Sequence, residues 1–393
     1  MTNKIIAYNI AELEKRKVLS KAKVLYKSKV INEEQWNEIK KVYATKLYSP
    51  SIFMKVLLFI VSFIAMTTVL APIAAIFNDI GKLGYQTLSL LLGVLLLFMT
   101  EKILIKENLH YNSGITEAGI YCGLIFIAFG LVGLTPHSLL IYAIVGFLLS
   151  AFAAVRYLKR VALVSTIGFF SWILFEIIAN IGGTVEALMP FIFMITFGVV
   201  YWAIKKLQTR LTNVIFEDQF VLVKTIALIL LYIAGNYFVV RNLSVKLMGL
   251  NLSTNEDIPY AFVFYILTAL IPIGYLYLGI KQKSILLIRV GLLVIALSAL
   301  TFKYYFSLGH PELTATVSGA LLIIIALVLF NYLKQIRGGF TRELLLQENG
   351  GSQNLTAIIA SQTLGGNKVN DPTSENTLSN GGSFGGAGAG GNW

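Results

Sequence analysis

The chain has 393 residues, of which 56% are hydrophobic and only 13% are charged, and its mean hydropathy is +0.74. Soluble domains carry about 25% charged residues, so this composition excludes a soluble globular protein. The formal charge of +12 lies mostly in short segments between apolar stretches, which is typical of membrane topology and does not indicate a nucleic-acid partner.

The first fifty residues are polar and rich in lysine, so we expect no signal peptide in them. The spacing of apolar residues predicts two amphipathic helices, one over 9–29 and one that begins after Asn32, a suitable N-cap residue. We therefore predict a basic helical hairpin over residues 1–50 at the membrane surface. The apolar residues that share one face of its second helix are Trp36, Ile39, Val42 and Tyr43.

Residues 51–335 contain about ten apolar stretches, each long enough to cross roughly 30 Å of hydrocarbon as a helix. Their continuous apolarity excludes the alternating pattern of a membrane β-barrel. The predicted fold class is therefore all-α, a polytopic helical membrane protein with about ten transmembrane helices. The predicted spans are 53–76, 86–105, 114–134, 138–156, 161–181, 187–205, 219–240, 259–280, 284–304 and 314–333.

Lysine and arginine are distributed unequally between the two sets of loops, and this bias predicts orientation. The side that we predict to be cytoplasmic holds the basic hairpin together with Lys102, Lys106, Arg156, Lys159, Arg160, Lys205, Lys206, Arg210, Lys281, Lys283, Lys334, Arg337 and Arg342. The opposite side holds only Lys82, Arg241, Lys246 and Lys303. Both termini are therefore predicted to be cytoplasmic, and the lipid bilayer is the first predicted partner.

Catalytic and metal-binding patterns are missing from the sequence. Cys122 is the only cysteine, which excludes an intrachain disulfide and a cysteine zinc cluster. There is no HExxH pair and no GxSxG turn. We therefore predict no enzymatic activity, no cofactor and no metal site. The ionisable residues of the outer loops, which we interpret as solvated, are Asp79, His137, Glu186, His310 and Glu312.

Three residues within the predicted spans suggest a cavity. Glu176 lies about five residues from the outer end of its span, where it either pairs locally or acts as a functional carboxylate. Pro272, followed by Gly274, indicates either a kinked helix or a broken helix that lines a cavity. A cavity near these residues would favour a transporter or a lipid-handling protein.

Small residues in the third span predict close helix packing. Gly119 and Gly123 form a GxxxG motif, which lets two helix backbones approach each other. The partner helix is either a neighbour in the same bundle or the same helix of a second copy.

Residues 343–393 are rich in Gly, Asn and Ser, and we predict that they are disordered. The chain ends in GGSFGGAGAGGNW, residues 381–393, where Phe384 and Trp393 are the only aromatic side chains. A partner could capture these rings together with the terminal carboxylate. The alternative interpretation is a solvated flexible linker.

This ending resembles the glycine ribbon GGGFGGGGAxGxW of bacterial membrane proteins with a TPM domain, from which Ser383 and Ala387 differ. The resemblance implies a shared terminal signal and not a shared function. The segment VINEEQWNEIKKVYA before the first span resembles uncharacterised bacterial families of multi-pass membrane proteins with an N-terminal helical hairpin. We therefore predict a non-enzymatic component of the bacterial inner membrane whose tail recruits a partner, with a transporter or lipid-handling protein as the alternative.

Overall fold

The computed structural model describes residues 5–28, 30–76, 81–136, 138–210, 214–246, 257–258 and 260–305, and the single positions 327 and 331. Every regular element within these ranges is a helix, and one isolated bridge joins Tyr48 to His110. The all-α prediction is therefore confirmed for the described chain. The glycine-rich tail with Phe384 and Trp393 lies outside the described residues, as do Asp79, His137, His310 and Glu312.

Thirteen α-helices follow one another along the described chain. A π-helix over Thr100–Glu107 continues α4, and a 3₁₀ turn over Val214–Phe216 precedes α10. The helices are α1 (Ile10–Lys27), α2 (Glu33–Val42), α3 (Ile52–Ile76), α4 (Gly81–Met99), α5 (Ile115–Leu134), α6 (Leu139–Arg156), α7 (Arg160–Ile181), α8 (Gly183–Ala187), α9 (Met189–Arg210), α10 (Glu217–Gly235), α11 (Tyr237–Lys246), α12 (Ala261–Lys281) and α13 (Ile285–Tyr305).

Seven of the described helices are long and apolar enough to cross a membrane. They are α4 with its π-helical continuation, α5, α6, α7, α9, α10 and α12. Helices α3 and α13 are also apolar and coincide with two further predicted spans. Apart from positions 327 and 331, the predicted span 314–333 lies outside the described residues, so a total of about ten spans stays a prediction.

The predicted span 219–240 corresponds to α10 over Glu217–Gly235, but the helix breaks at Asn236, before the predicted end of the span. Asn236 has extended backbone angles, φ −85° and ψ 121°. Its side-chain amide donates hydrogen bonds to Tyr232 Oη at 2.8 Å and to Thr301 Oγ1 at 2.9 Å. These side-chain bonds satisfy a polar group inside an apolar bundle, where an unpaired amide would cost several kcal/mol in hydrocarbon. They also fix the break against α13.

Helix α5 lies close to α4 and to the π-helix that continues it, because glycine lines their contact. A Cβ atom at Gly119 would lie 2.2 Å from Thr100 Oγ1, and one at Gly123 would lie 2.8 Å from Leu97 Cγ. Both distances are shorter than real Cβ atoms allow. The GxxxG motif therefore packs within the bundle, which confirms the first of its two interpretations.

Helices α1 and α2 pack on each other through a small core of Ala22, Ile31 and Ile39. The predicted N-cap at Asn32 is confirmed: Asn32 Oδ1 accepts from the Gln35 amide at 2.8 Å, and Gln35 Oε1 accepts from the Asn32 amide at 3.0 Å. This reciprocal capping box satisfies two backbone donors that helix ends leave unpaired. It explains why α2 begins at Glu33.

The segment before α1 packs against the bundle. Ile6 and Tyr8 are buried in one core with Tyr157, and the Ala7 amide donates to the Arg156 carbonyl oxygen at 2.9 Å. The segment after α2 is joined to α1 by Glu12, whose Oε2 accepts from the Lys46 amide at 2.8 Å and from Thr45 Oγ1 at 3.0 Å. These contacts hold α1 across the end of the bundle at which α3, α5, α7 and α10 begin.

Candidate functional site: a basic cleft beside the first helix

Helix α1 and the adjoining ends of α3, α5, α7 and α10 enclose a cleft of about 650 Å³, which we call the α1 cleft. Its carboxylates are those of Glu117 and Asp218. Its cationic side chains are those of Arg16, Lys17, Lys55, Lys159 and Arg160. The lining therefore carries an excess of three positive charges.

A buried ion pair forms the floor of the α1 cleft. The Lys159 side chain is 5% exposed, and it donates hydrogen bonds to Glu117 Oε1 and, at 2.7 Å, to Asn112 Oδ1. Glu117 Oε2 accepts from the Gly114 amide at 2.7 Å and from Thr116 Oγ1 at 2.9 Å. Because both partners of a buried ion pair are hydrogen-bonded, neither charge is left unpaired in a medium of low dielectric constant.

Gly114 brings the first turn of α3 against this floor. It adopts a φ of +91°, which favours glycine, and a Cβ atom there would lie 2.2 Å from the Lys55 carbonyl oxygen. The absence of a side chain therefore allows α3 to approach the beginning of α5. This approach places Lys55 in the lining of the cleft.

Arg16 is held on the wall of the cleft by two contacts. Its Cζ atom lies 4.5 Å from the centre of the Tyr111 ring, and Nη2 donates to Ser49 Oγ at 3.1 Å. Within the described ranges, neither Arg16 nor Lys55 has an ion-pair partner. The cleft thus contains two cations that form no ion pair with a carboxylate of the described chain.

The remaining cations lie near Asp218 at the edge of the cleft. Lys17 Nζ lies 3.9 Å and Arg160 Nη2 lies 3.7 Å from Asp218 Oδ2. Burial lowers the pKa of Lys17, while the Asp218 and Glu217 carboxylates oppose that shift. The Arg160 and Asp218 side chains are 73% and 58% exposed, and an exposed ion pair contributes less than about 1 kcal/mol to stability.

Apolar side chains border the charged lining. Val56 and Phe59 belong to the first two turns of α3, and Val161 belongs to the first turn of α7. The cleft therefore combines cations with the apolar beginnings of two membrane-type helices. An amphiphilic anion matches this combination, because its charge and its hydrocarbon each meet a suitable surface.

The three residues of the predicted cavity have separate surroundings. Glu176 Oε1 accepts a hydrogen bond from Trp172 Nε1 at 2.9 Å within α7. Pro272 is buried inside α12, which is helical from Ala261 to Lys281. A Cβ atom at Gly274 would meet nothing within 4 Å. A cavity shared by these three residues stays a prediction.

The floor of the α1 cleft was not predicted from the sequence. The charge bias of the loops accounts for Lys159 without assigning it a partner, and Glu117 belongs to no recognised motif. A usable signal was present, since Glu117 is a carboxylate only three residues inside the predicted span 114–134. An acidic residue inside a predicted span indicates that it pairs with another group, but the sequence does not identify that group.

No protein-family model, no curated protein and no solved structure matches the chain. The function is therefore inferred from the site itself.

Proposed function

We propose that this integral membrane protein is a lipid-handling protein that binds the phosphate group of an anionic lipid in the α1 cleft, on the cytoplasmic side of the membrane. The observation that carries the proposal is the position of Arg16 and Lys55, two cations without carboxylate partners in the described chain, beside the apolar first turns of α3 and α7. The cytoplasmic placement rests on the charge bias of the loops.

The chemistry of the two cations suits a phosphate monoanion or diester. A guanidinium group offers a planar fork of donors to phosphate oxygens, and Lys55 adds a compact positive charge. Arg16 is already ordered by its stacking on Tyr111 and by Ser49, so binding costs little further side-chain entropy. A lipid would place its acyl chains along Val56 and Val161, which lie at the edge of the cleft.

Native mass spectrometry of the full-length protein in detergent, titrated with phosphatidylglycerol, tests the proposal. We expect the double variant Arg16→Gln/Lys55→Gln to lower lipid affinity by roughly 30-fold, because each basic residue near an anionic headgroup contributes about 1 kcal/mol. The matched control is Lys40→Gln/Lys41→Gln on α2, which removes the same charge from exposed positions. Equal losses in the two double variants would contradict a specific site.

The source of the phosphate is tested by competition. We expect bound phosphatidylglycerol to persist in millimolar inorganic phosphate or glycerol 3-phosphate, because neither supplies hydrocarbon for the apolar border of the cleft. Displacement of the lipid by these soluble anions would indicate a soluble phosphate ester as the ligand. Retention of phosphatidylcholine with the same affinity would indicate that the cations do not select the headgroup.

Transport is the second candidate function, and the break at Asn236 favours it. Discontinuous helices often form substrate sites in membrane transporters. Thr301 on α13 contacts Asn236, and Thr268 on α12, one turn before Pro272, accepts from the Tyr237 amide at 3.0 Å. A Thr301→Cys variant in a Cys122→Ala background would react with a membrane-impermeant maleimide if the break opens to water. No reaction from either side of the membrane would contradict transport through this region.

Partner recruitment by residues 381–393 is a separate proposal that rests on the sequence and on its resemblance to other glycine-rich endings. Crosslinking affinity capture tests it by comparing the intact chain with one that lacks residues 381–393. We expect a protein partner that is lost with the truncation and with Phe384→Ala/Trp393→Ala. An unchanged set of partners would identify the tail as a solvated linker.

A further inference from the structure

A second cavity, of about 780 Å³, lies between α5, α6 and the end of α4 with its π-helical continuation. We call it the π-helix groove. Its rim carries Glu101, Lys102, Lys106 and Arg156, and these residues are separate from those of the α1 cleft. The rim is therefore basic, with three cations and one carboxylate.

The π-helix explains how the rim is assembled. Glu101 and Lys106 are five residues apart, a spacing that an α-helix does not align but that the i→i+5 repeat of a π-helix does. Lys106 Nζ lies 2.8 Å from Glu101 Oε1, and Arg156 Nε donates to Glu101 Oε2 at 2.8 Å. The Glu101 carboxylate thus forms ion pairs with both Lys106 and Arg156. Lys102 has no ion-pair partner within the described chain.

The donors available to a ligand belong to the two lysines. Arg156 uses Nε and Nη2 on Glu101, and Nη1 donates to the Ile5 carbonyl oxygen at 3.1 Å. Lys106 is 59% exposed and shares only one contact with Glu101, so its ammonium group has donors left. Lys102 Nζ lies 6.0 Å from the Phe98 ring centre, a long cation–π contact that an anion can replace.

The walls of the groove are apolar. They extend along α4 from the rim to Val94, seven residues before Glu101, which corresponds to about 10 Å at 1.5 Å per residue. Phe98 and Phe152 flank the groove and are 58% and 46% exposed, so the groove is open sideways toward lipid. Leu124 and Leu149 also contribute to its apolar lining.

We infer that the π-helix groove is a binding site for one anionic phospholipid, distinct from the α1 cleft. One acyl chain lies along Phe98, Leu149 and Phe152, and the phosphate accepts hydrogen bonds from Lys102 and Lys106. The charge distribution of the groove favours an anionic phospholipid. The excess positive charge lies at the rim, where the phosphate would bind, and the apolar walls that would contact an acyl chain begin directly below the rim. A zwitterionic lipid would bring an additional cation next to the two lysines and is disfavoured.

Photocrosslinking in nanodiscs tests the assignment with phosphatidylglycerol that carries a diazirine in one acyl chain. We expect adducts concentrated on peptides that contain residues 94–106 and 149–157. We expect Lys102→Gln to lower that labelling about fivefold, because it removes one basic residue near an anionic headgroup. We expect Leu149→Trp, which fills the groove, to abolish it. Labelling spread evenly over all lipid-facing helices would overturn the assignment and identify annular lipid only.

Lys206→Gln is the matched control for Lys102→Gln. Lys206 is also exposed, lies at the same end of the bundle and contacts an aromatic ring, with its Nζ 5.0 Å from the Trp202 centre. We expect Lys206→Gln to leave labelling of residues 94–106 unchanged, and an equal loss would overturn the assignment. Because Arg16→Gln/Lys55→Gln alters only the α1 cleft, the peptides that lose label distinguish failure at one site from failure at the other.

Discussion

Ser298 Oγ on α13 donates a hydrogen bond of 2.9 Å to the carbonyl oxygen of Thr268 on α12. In a continuous helix that carbonyl accepts from the amide four residues later, but residue 272 is proline and has no amide hydrogen. Ser298 therefore supplies the donor that Pro272 removes. The carbonyl that Pro272 leaves without an amide donor thus links α12 to α13 through a hydrogen bond. Helix α12 is not broken at the proline and remains helical through Lys281.

A double-mutant cycle tests this relationship. We expect Ser298→Ala to destabilise the protein by about 1–3 kcal/mol, because it leaves a buried carbonyl without a donor. In a Pro272→Ala background the same change should cost less than about 1 kcal/mol, because the new amide at residue 272 can bond the carbonyl. Unfolding midpoints of the four variants in nanodiscs supply the coupling energy. Additive effects would show that the two residues act independently.

The spans, and an irregularity in α12 at Pro272, could be predicted from the sequence. The sequence did not indicate that Ser298 supplies the missing hydrogen-bond donor. Apolar length identifies a membrane helix whatever its neighbours, which is why the predicted spans before residue 210 coincide with observed helices. The break at Asn236 depends on Tyr232 and Thr301, and Thr301 is 65 residues away in sequence. A polar residue in an apolar segment indicates that partners exist but does not identify them.

Close packing of α4 and α5 predicts a strong position effect for glycine substitutions. We expect Gly119→Ala to destabilise the protein by about 1–3 kcal/mol, because the added Cβ would lie 2.2 Å from Thr100 Oγ1. Gly168→Ala on α7 is the control, since a Cβ there meets nothing within 4 Å. It should be neutral or stabilise the helix by up to about 1 kcal/mol. Thermal unfolding in detergent measures both, and similar midpoints for the two variants would contradict the packing argument.

The buried pair Lys159 and Glu117 predicts that single and double substitutions behave differently. We expect Lys159→Met to cost about 3–5 kcal/mol, because it leaves the Glu117 carboxylate buried without its cation. The double variant Lys159→Met/Glu117→Leu should recover most of that stability, since no charge then remains buried. Denaturation of the full-length variants in detergent supplies the comparison. A double variant that is no more stable than Lys159→Met would show that the pair is needed for more than charge balance.

The ion pairs of the α1 cleft could not be predicted from the sequence. Its cations lie on loops and helix ends whose charge bias is predictable, but which of them lack a carboxylate depends on the fold. Arg160 lies near Asp218 and Lys159 pairs with Glu117, whereas Arg16 stacks on Tyr111, donates to Ser49 and forms no ion pair within the described ranges. Which cations form an ion pair and which do not therefore depends on the tertiary structure.

Glu12 makes the attachment of α1 to the following segment sensitive to acid. The Lys15 ammonium, the Lys46 amide and the Thr45 hydroxyl lower the pKa of Glu12 from 4.5 to about 2. A carboxyl whose pKa is lower in the folded state stabilises that state above its unfolded pKa and loses this effect as the pH falls through the folded value. The Glu12 contacts should thus contribute fully above about pH 5 and weaken by about 1–3 kcal/mol as the pH falls toward 2.

Pulsed EPR distances between spin labels at positions 23 and 210, in a Cys122→Ala background, measure this attachment across that pH range. We expect the distance distribution of the otherwise unchanged chain to broaden between pH 5 and pH 2, because α1 is then held less firmly at the end of the bundle. Glu12→Gln should broaden the distribution already at pH 7 and remove its dependence on pH over this interval. Glu14→Gln, an exposed change on the same helix, should follow the parent chain. A Glu12→Gln chain with the parent's pH response would show that other carboxylates govern the acid sensitivity.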